Sequence, residues 1–386
     1  MATPLMLQSP RFSAFSTPKK VFTSQSYIIS LAALPNHYAA AISAPSNTIE
    51  IYDKSTVERI QILSGHDNAI TSLRVAENLI GVGSKHLISS GKDGSVKVWD
   101  NRTNSHSIKL TDLGKARPLL CCDVSFDGFT VAAGTELHGE DASIIYWDPR
   151  QPAAPLRTHS STHSDDVTVV SFAASSIPGM KVLLSASSDG LISTSNSEED
   201  DEDEAVLNVG NWGCSVAQAG WIYNTTGLKI WASSDMETFS TWTDELEKLQ
   251  DLDIRAPSIH DHGTTWVTDY LVGCKPHPSV PGGLGIFVGS NEGDIALISN
   301  EDWTAGAPWQ LHTLWGNGHV GVVRSVLWDE TANVVVTGGE DGKINFWPSE
   351  LEDTEMEMDV DQPVRKREAD WGPTDDDQEG KRHKRG

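Results

Sequence analysis

Basic residues are scarce in this chain of 386 residues: 29 Lys and Arg stand against 54 Asp and Glu, a net charge of −25. Affinity for a phosphate backbone comes from basic charge, so direct nucleic-acid binding is not expected. Cysteine is scarcer still. Cys121, Cys122, Cys214 and Cys274 lack the spacing of a zinc site or a disulfide framework. No run of about 18 apolar residues occurs, so no membrane span is expected. Ser, Pro and Arg interrupt the first 20 residues, which therefore lack a secretory apolar core. The expected compartment is reducing, nucleus and/or cytoplasm.

Catalytic signatures are also missing. The stretch Gly81, Val82, Gly83, Ser84, Lys85 lacks phosphate-loop spacing, and Gly283 and Gly285 precede a strand pattern, not a helix. Gly-x-Ser-x-Gly, zinc-protease and paired Cys-x-x-Cys patterns are absent. His260, Asp261 and His262 suggest a metal, but no further ligands accompany them. The reading is a non-enzyme with no catalytic, cofactor or metal site.

What the chain has is a beat. A tryptophan, or a residue standing in for it, falls at Tyr52, Trp99, Trp147, Ser195, Trp242, Ile298 and Trp347, at intervals of 47, 48, 48, 47, 56 and 49 residues. Such a period marks a repeat architecture. Two copies are nearly complete. One runs from Gly65 and His66 through Ser89, Asp93 and Gly94 to Trp99 and Asp100; the other runs from Gly318 and His319 through Thr337, Asp341 and Gly342 to Trp347. A third keeps His163, Ser185, Asp189 and Gly190 but has Ser195 for tryptophan, and another has Glu292 for Asp and Ile298 for tryptophan.

The segments before Trp99 and Trp347 alternate in polarity with period two, as strands do. Asp-Gly pairs between them mark hairpin turns, because glycine accepts a positive φ. Four short antiparallel strands cannot bury both faces of their own sheet. Stacking such units around an axis buries them and leaves only short edges.

Over roughly residues 10–348 this pattern resembles the WD40 repeat family, and the whole-chain layout resembles the WD repeat-containing protein 89 family. The resemblance implies an all-β, seven-bladed propeller of four-stranded antiparallel blades, closed by an N-terminal strand expected within Arg11–Thr17. It also implies structural tetrads, His66–Ser89–Asp93–Trp99 and His319–Thr337–Asp341–Trp347. Residues 1–9 are read as an N-terminal tail and 349–386 as a disordered acidic and basic tail. The longest repeat has about eight extra residues, placed around Lys275–Gly283. One histidine of the His260, Asp261, His262 triplet is read as its loop histidine.

Two charged segments stand apart. Glu198, Glu199, Asp200, Asp201, Glu202, Asp203 and Glu204 form an acidic run in the loop 197–204, expected to be disordered by self-repulsion. It reads as a solvated loop or as an acidic lure for a basic partner. Ser197, beside acids, suits an acid-directed kinase. The tail holds two basic clusters, Arg365, Lys366, Arg367 and Lys381, Arg382, Lys384, Arg385, the latter also containing His383. Their spacing resembles a bipartite nuclear-import signal; the alternative is a basic tail neutralising nearby acids.

Both full Trp-Asp pairs continue to arginine, at Arg102 and Arg150. This doubled Trp-Asp-x-Arg box resembles substrate receptors of cullin–RING ubiquitin ligases, whose arginines engage the ligase's propeller adaptor. Arginine suits that role because its planar fork pairs a carboxylate bidentately; a loop arginine with no such role fits as well. The resulting expectation is a monomeric, non-catalytic protein-interaction scaffold in nuclear or nucleocytoplasmic complexes. The alternatives are a ligase substrate receptor using Arg102 and Arg150, and an acidic escort for histones or ribosomal proteins.

Overall fold

The computed structural model describes residues 5–100, 105–114, 116–139, 141–174, 180–224, 227–261, 263–276, 280–303 and 306–349. These form seven small antiparallel sheets arranged as the blades of a β-propeller. Blades 1 to 6 span 28–63, 70–111, 119–159, 167–211, 216–253 and 270–315; blade 7 spans 323–348 and takes its fourth strand from the N-terminus.

The tryptophan beat falls on the third strand of every blade. Tyr52, Trp99, Trp147, Ser195, Trp242, Ile298 and Trp347 pair with Tyr38, Leu87, Val131, Leu183, Ile230, Ile286 and Val335 of the second strands. All seven are buried, because each sits where one sheet packs on the next. Fully burying one such large side chain contributes about 1.5–3 kcal/mol. The innermost strands share a second regularity. Each carries a one-residue register shift near its start, after the first residue in six blades, as between Ile70 and Ser72, and after the second in blade 6, between Leu271 and Gly273. A bulge near the start of a strand bends it and increases its twist.

Closure is by the N-terminus, but not at the expected residues. The closing strand is β2, with its chain-order predecessor β1 at Met6–Phe15 and β2 itself at Lys20–Thr23. β2 pairs antiparallel with Lys343–Phe346, and Phe22 packs against Phe346 and Tyr52, across the seam from blade 7 to blade 1. Phe12 and Phe15, within the stretch expected to close the ring, instead pack on the clusters of blade 6 and its neighbours. They belong to β1, a fifth strand that runs parallel to the outer strand of blade 6. Residues 6–9 therefore belong to the fold and not to a tail, held by Met6, which is buried.

The extra length of the sixth repeat is also elsewhere than expected. It lies mainly between blades 5 and 6, where Ile259–Asp261 and Thr264–Trp266 form a separate hairpin.

Candidate functional site: two rims of the ring

Antiparallel pairing sends successive turns to alternate ends of a blade. One rim therefore carries the connections between blades and the turns after second strands. The other carries the turns after first and third strands.

The first rim is braced from within. Trp99 Nε1 donates to Ser89 Oγ at 2.8 Å. Ser89 Oγ lies 2.7 Å from His66 Nε2, and His66 Nδ1 lies 2.9 Å from Asp93 Oδ1. An indole can only donate, so a consistent network has Ser89 donating to His66 and His66 donating to the carboxylate. Blade 7 repeats the chain: Trp347 Nε1 to Thr337 Oγ1 at 2.9 Å, Thr337 to His319 Nε2 at 2.7 Å, and His319 Nδ1 to Asp341 at 3.0 Å. Gly318 precedes His319 because a Cβ there would stand 2.3 Å from the Trp347 ring. Gly94 and Gly342 turn at φ of 73° and 71°, as the Asp-Gly pairs anticipated.

These sets resemble catalytic triads only on paper. Their hydroxyls and imidazoles are buried and their hydrogen bonds run inward to an indole, leaving no face for a substrate. Burial pushes the Asp93 carboxyl up, but bonds from His66 and Ser95 outweigh it and hold the group below the usual carboxylate range. Asp189 is likewise held at about 2: burial opposes, and the nearby His163, 3.6 Å away, with the amides of Ser164 and Leu191, prevails. Burial alone outweighs Asp341 at His319, whose imidazole is pushed down.

The degraded blades use other means. In blade 4 His163 still meets Ser185 at 2.8 Å, but Ser195 ends the chain, and Tyr146 of blade 3 packs in one cluster with Leu183, the partner of Ser195. In blade 6, Ile298 lies in an apolar cluster with Trp231, Trp303 and Trp309. His260 is not a loop histidine of this blade: it is exposed on the separate hairpin, and His262 lies outside the described residues. The inner strands of blades 2, 4 and 7 begin four residues after His66, His163 and His319; four residues before Tyr270 stands Trp266, buried, its Nε1 donating to Thr268. Among the described residues no cluster of His, Cys, Asp or Glu is arranged to hold a metal, and no helix is long and apolar enough to cross a membrane.

The second rim is open. The turn between the first two strands of blade 3 raises Phe126, 60% exposed. Two clefts flank it, of about 260 and 180 Å³, and both are lined by Ser125, Phe126, Phe172 and Ala173. Acids border them: Asp127 and Glu198 in one, Glu77 and Asp123 in the other. Lys181, the one cation lining these clefts, lies 2.8 Å from Asp127 and 3.0 Å from Glu198.

Arg150 stands on the same rim. Its side chain is half exposed, stacks 4.6 Å over the Phe129 ring, and forks onto the buried Asp148 at 2.6 to 3.1 Å. Arg102 lies outside the described residues, so the structure brings only one of the two arginines to a place. The import clusters of residues 365–385 lie outside them too.

The acidic run is ordered, correcting the expectation of a disordered loop. Asp201 caps a one-turn helix, Glu202–Ala205. Glu202 accepts from the backbone amides of Ser160, Ser161 and Thr162 and from the Thr162 hydroxyl at 2.6 to 2.8 Å. Asp200 pairs with Arg157, and Glu198 with Lys181. Repulsion among the acids is offset by these partners, which are distant in sequence. Ser197 is fully buried and donates to Lys181 O at 3.0 Å, so a kinase does not reach it in this fold. Glu204 and Asp203 remain exposed.

Comparison with known proteins agrees with this geometry. The model of the WD domain, G-beta repeat, matches residues 57–100 and 309–348. An uncharacterised WD repeat-containing protein of Saccharomyces cerevisiae is 29% identical over 84% of this chain and 79% of its own length. WD repeat-containing protein GTS1 of Arabidopsis thaliana is 28% identical over 86% of this chain and 83% of its own. The WD repeat-containing protein 89 homolog of Dictyostelium discoideum is 28% identical over 83% and 82%. Among solved structures, a chain of the mitotic checkpoint complex superposes with a TM-score of 0.64 at 13% identity, covering 88% of this chain and 93% of that one. The computationally designed Ika8 protein gives 0.59 at 19% identity, covering 88% and 99%. At such identities the structures speak to the fold alone.

Proposed function

From a chain that carries WD40 repeats on a seven-bladed ring, we propose a non-catalytic scaffold that docks basic protein segments on its open rim. The observation that carries this reading is Phe126, exposed between two clefts whose borders are acidic. An exposed aromatic between concave apolar surfaces is the kind of anchor that dominates protein interfaces. The surrounding carboxylates, on a chain of net charge −25, speed the approach of a basic partner and disfavour an acidic one. The fitting ligand is an apolar residue flanked by lysine or arginine. Nuclear or nucleocytoplasmic action, through the basic clusters beginning at Arg365 and Lys381, is part of the proposal; a fluorescent protein fused to 362–386 that stays diffuse would remove it.

The alternatives have less support. For a ligase substrate receptor, Arg150 is on an exposed rim, yet its fork is already closed on Asp148. For an acidic escort, Glu198, Asp200 and Glu202 are engaged within the fold.

The test is affinity purification with mass spectrometry, using wild type, Phe126→Ser and Arg102→Ala/Arg150→Ala as baits of equal melting temperature. Loss of basic partners from the Phe126→Ser bait alone supports the docking rim. Loss of a cullin-ligase adaptor from the arginine double variant replaces it with the receptor reading. Partners retained by both variants mean that the rim is not the docking surface.

A further inference from the structure

The inner strands enclose a cavity of about 740 Å³ on the ring axis. In blades 2, 3 and 4 the third residue after the bulge, Arg74, Asp123 and Ser171, faces Ile88, Ala132 and Leu184 and stands at one level; in blade 6 the later bulge puts Gly273 at that level, opposite Phe287, and Lys275 two residues further along, opposite Gly285. Arg74, Asp123, Ser171 and Lys275 all line the cavity. These four residues supply the cavity wall with two cations and one carboxylate.

That carboxylate is already committed. Asp123 accepts from the Phe172 amide at 2.8 Å and lies 3.5 Å from Arg74 Nη1. Arg74 keeps 40% of its side chain exposed, so its fork is not fully used. Lys275, half-buried on blade 6, has no carboxylate partner among the described residues. Lys54, Lys97, Lys181 and Lys343, buried or half-buried like it, each reach one at 2.5 to 3.6 Å. Burial, and then the charge of Arg74, push the Lys275 ammonium below its ordinary range. Two other half-buried lysines without a carboxylate, Lys20 and Lys229, at least reach a backbone carbonyl at 2.7 and 3.2 Å; desolvating a cation without a partner is costly.

We infer that the central cavity binds a small phosphate-bearing molecule between Arg74 and Lys275. The guanidinium offers a planar fork and the ammonium a point charge, the two common ways proteins hold phosphate. Ser171 adds a polar group to the wall, and the volume lies within the range of small-molecule sites. Acids on the outer surface do not prevent entry, because charges more than about 8 Å away are largely screened at physiological salt.

Calorimetry with inorganic pyrophosphate on the full chain tests this, with a phosphoserine peptide as a second arm. The expected result is one pyrophosphate per chain and a raised melting temperature. Lys275→Met should bind at least tenfold more weakly while melting no lower than wild type, since it removes a cation that lacks a partner. Lys275→Gln serves if the methionine variant folds poorly. Pyrophosphate binding without peptide binding assigns the cavity to small molecules; tighter peptide binding, lost with Lys275, overturns the small-molecule assignment in favour of a phosphorylated protein segment. No binding at millimolar pyrophosphate, or equal binding by wild type and Lys275→Met, overturns the site.

Discussion

On one rim of the ring, the polar side chains of blades 2 and 7 turn inward and bond to a tryptophan. On the other, an aromatic, an arginine and a set of carboxylates face water. The same strands reach both ends, so the difference lies in the turns. The braced rim uses residues close in sequence, a histidine at a blade entrance and a Ser or Thr and Asp about twenty residues on. The open rim gathers Glu77, Phe126, Lys181 and Glu198 from three different blades. One rim keeps the blades together, and the other is free to vary without unfolding them. Substitutions at the two ends should therefore separate stability from binding.

The largest effect should come from the seam that serves both rims, where the ring closes. Deleting residues 1–24 removes β2 and the packing of Phe22 on Tyr52 and Phe346. The melting temperature should fall by roughly 10 °C or more, or cooperative unfolding should be lost. Deleting 1–18 removes β1 but leaves β2, and should cost clearly less. Equal melts for the two deletions would mean that β2 does not close the ring.

Next in size are the tetrads. Thr337→Ala orphans both His319 and Trp347, whereas Ser185→Ala orphans His163 alone, because blade 4 has no tryptophan at Ser195. An orphaned buried polar group costs about 1–3 kcal/mol, so chemical denaturation should find Thr337→Ala the more damaging. His66→Ala and His319→Ala lie in separate networks on blades 2 and 7, and their costs should add within about 0.5 kcal/mol. A Ser185 variant as damaging as the Thr337 variant would remove the indole from the account.

How much of this was legible beforehand follows the same division. The tryptophan beat marks the third strand of all seven blades, even where it reads Ser195 or Ile298, because a spacing survives when its residue does not. His66, Ser89, Asp93 and Trp99 were legible for a similar reason: their contacts are local and repeat at a fixed step. Trp266 was hidden because an indole took the place of an imidazole; counting back four residues from Tyr270 finds it. The role of β1 was hidden because parallel pairing with Trp309–Trp315 joins segments about 300 residues apart and leaves no periodic trace. The acidic run misled because charge alone argued for disorder, while the amides at Ser160–Thr162 that hold Glu202 make no pattern. The open rim was illegible as a surface: Phe126 looked like any loop aromatic until its neighbours assembled around it.

Acid should act more on the braced ring than on the open rim. His312 is buried against Ser299, and burial alone pushes it to about 4; His319 is pushed down as well. Above an unfolded value near 6.5 both are neutral folded and unfolded, so no penalty exists. Below it the unfolded chain takes up the protons first, and stability falls with pH until the folded His312 titrates near 4. Each such histidine contributes a slope of up to ~1.4 kcal/mol per pH unit. Melting temperatures from pH 7 to pH 4.5 should therefore decline, and His312→Gln should flatten the decline. An unchanged slope in that variant would assign the acid sensitivity elsewhere.

The smallest stability effect should come from the open rim, and its smallness makes the comparison sharp. Arg150→Ala removes a half-exposed fork on Asp148 and a ring contact with Phe129; Phe126→Ser removes an exposed ring. Surface changes of this kind stay mostly within about 0.5 kcal/mol. The Asp148 carboxyl is held below its usual range first by Arg150, then against burial by the Arg150 amide. That amide is a backbone group and survives the substitution, so the buried acid keeps a partner. Both variants should melt within a degree or two of wild type. If either drops by several degrees, the open rim braces the blades as well, and loss of binding in that variant no longer marks a docking surface.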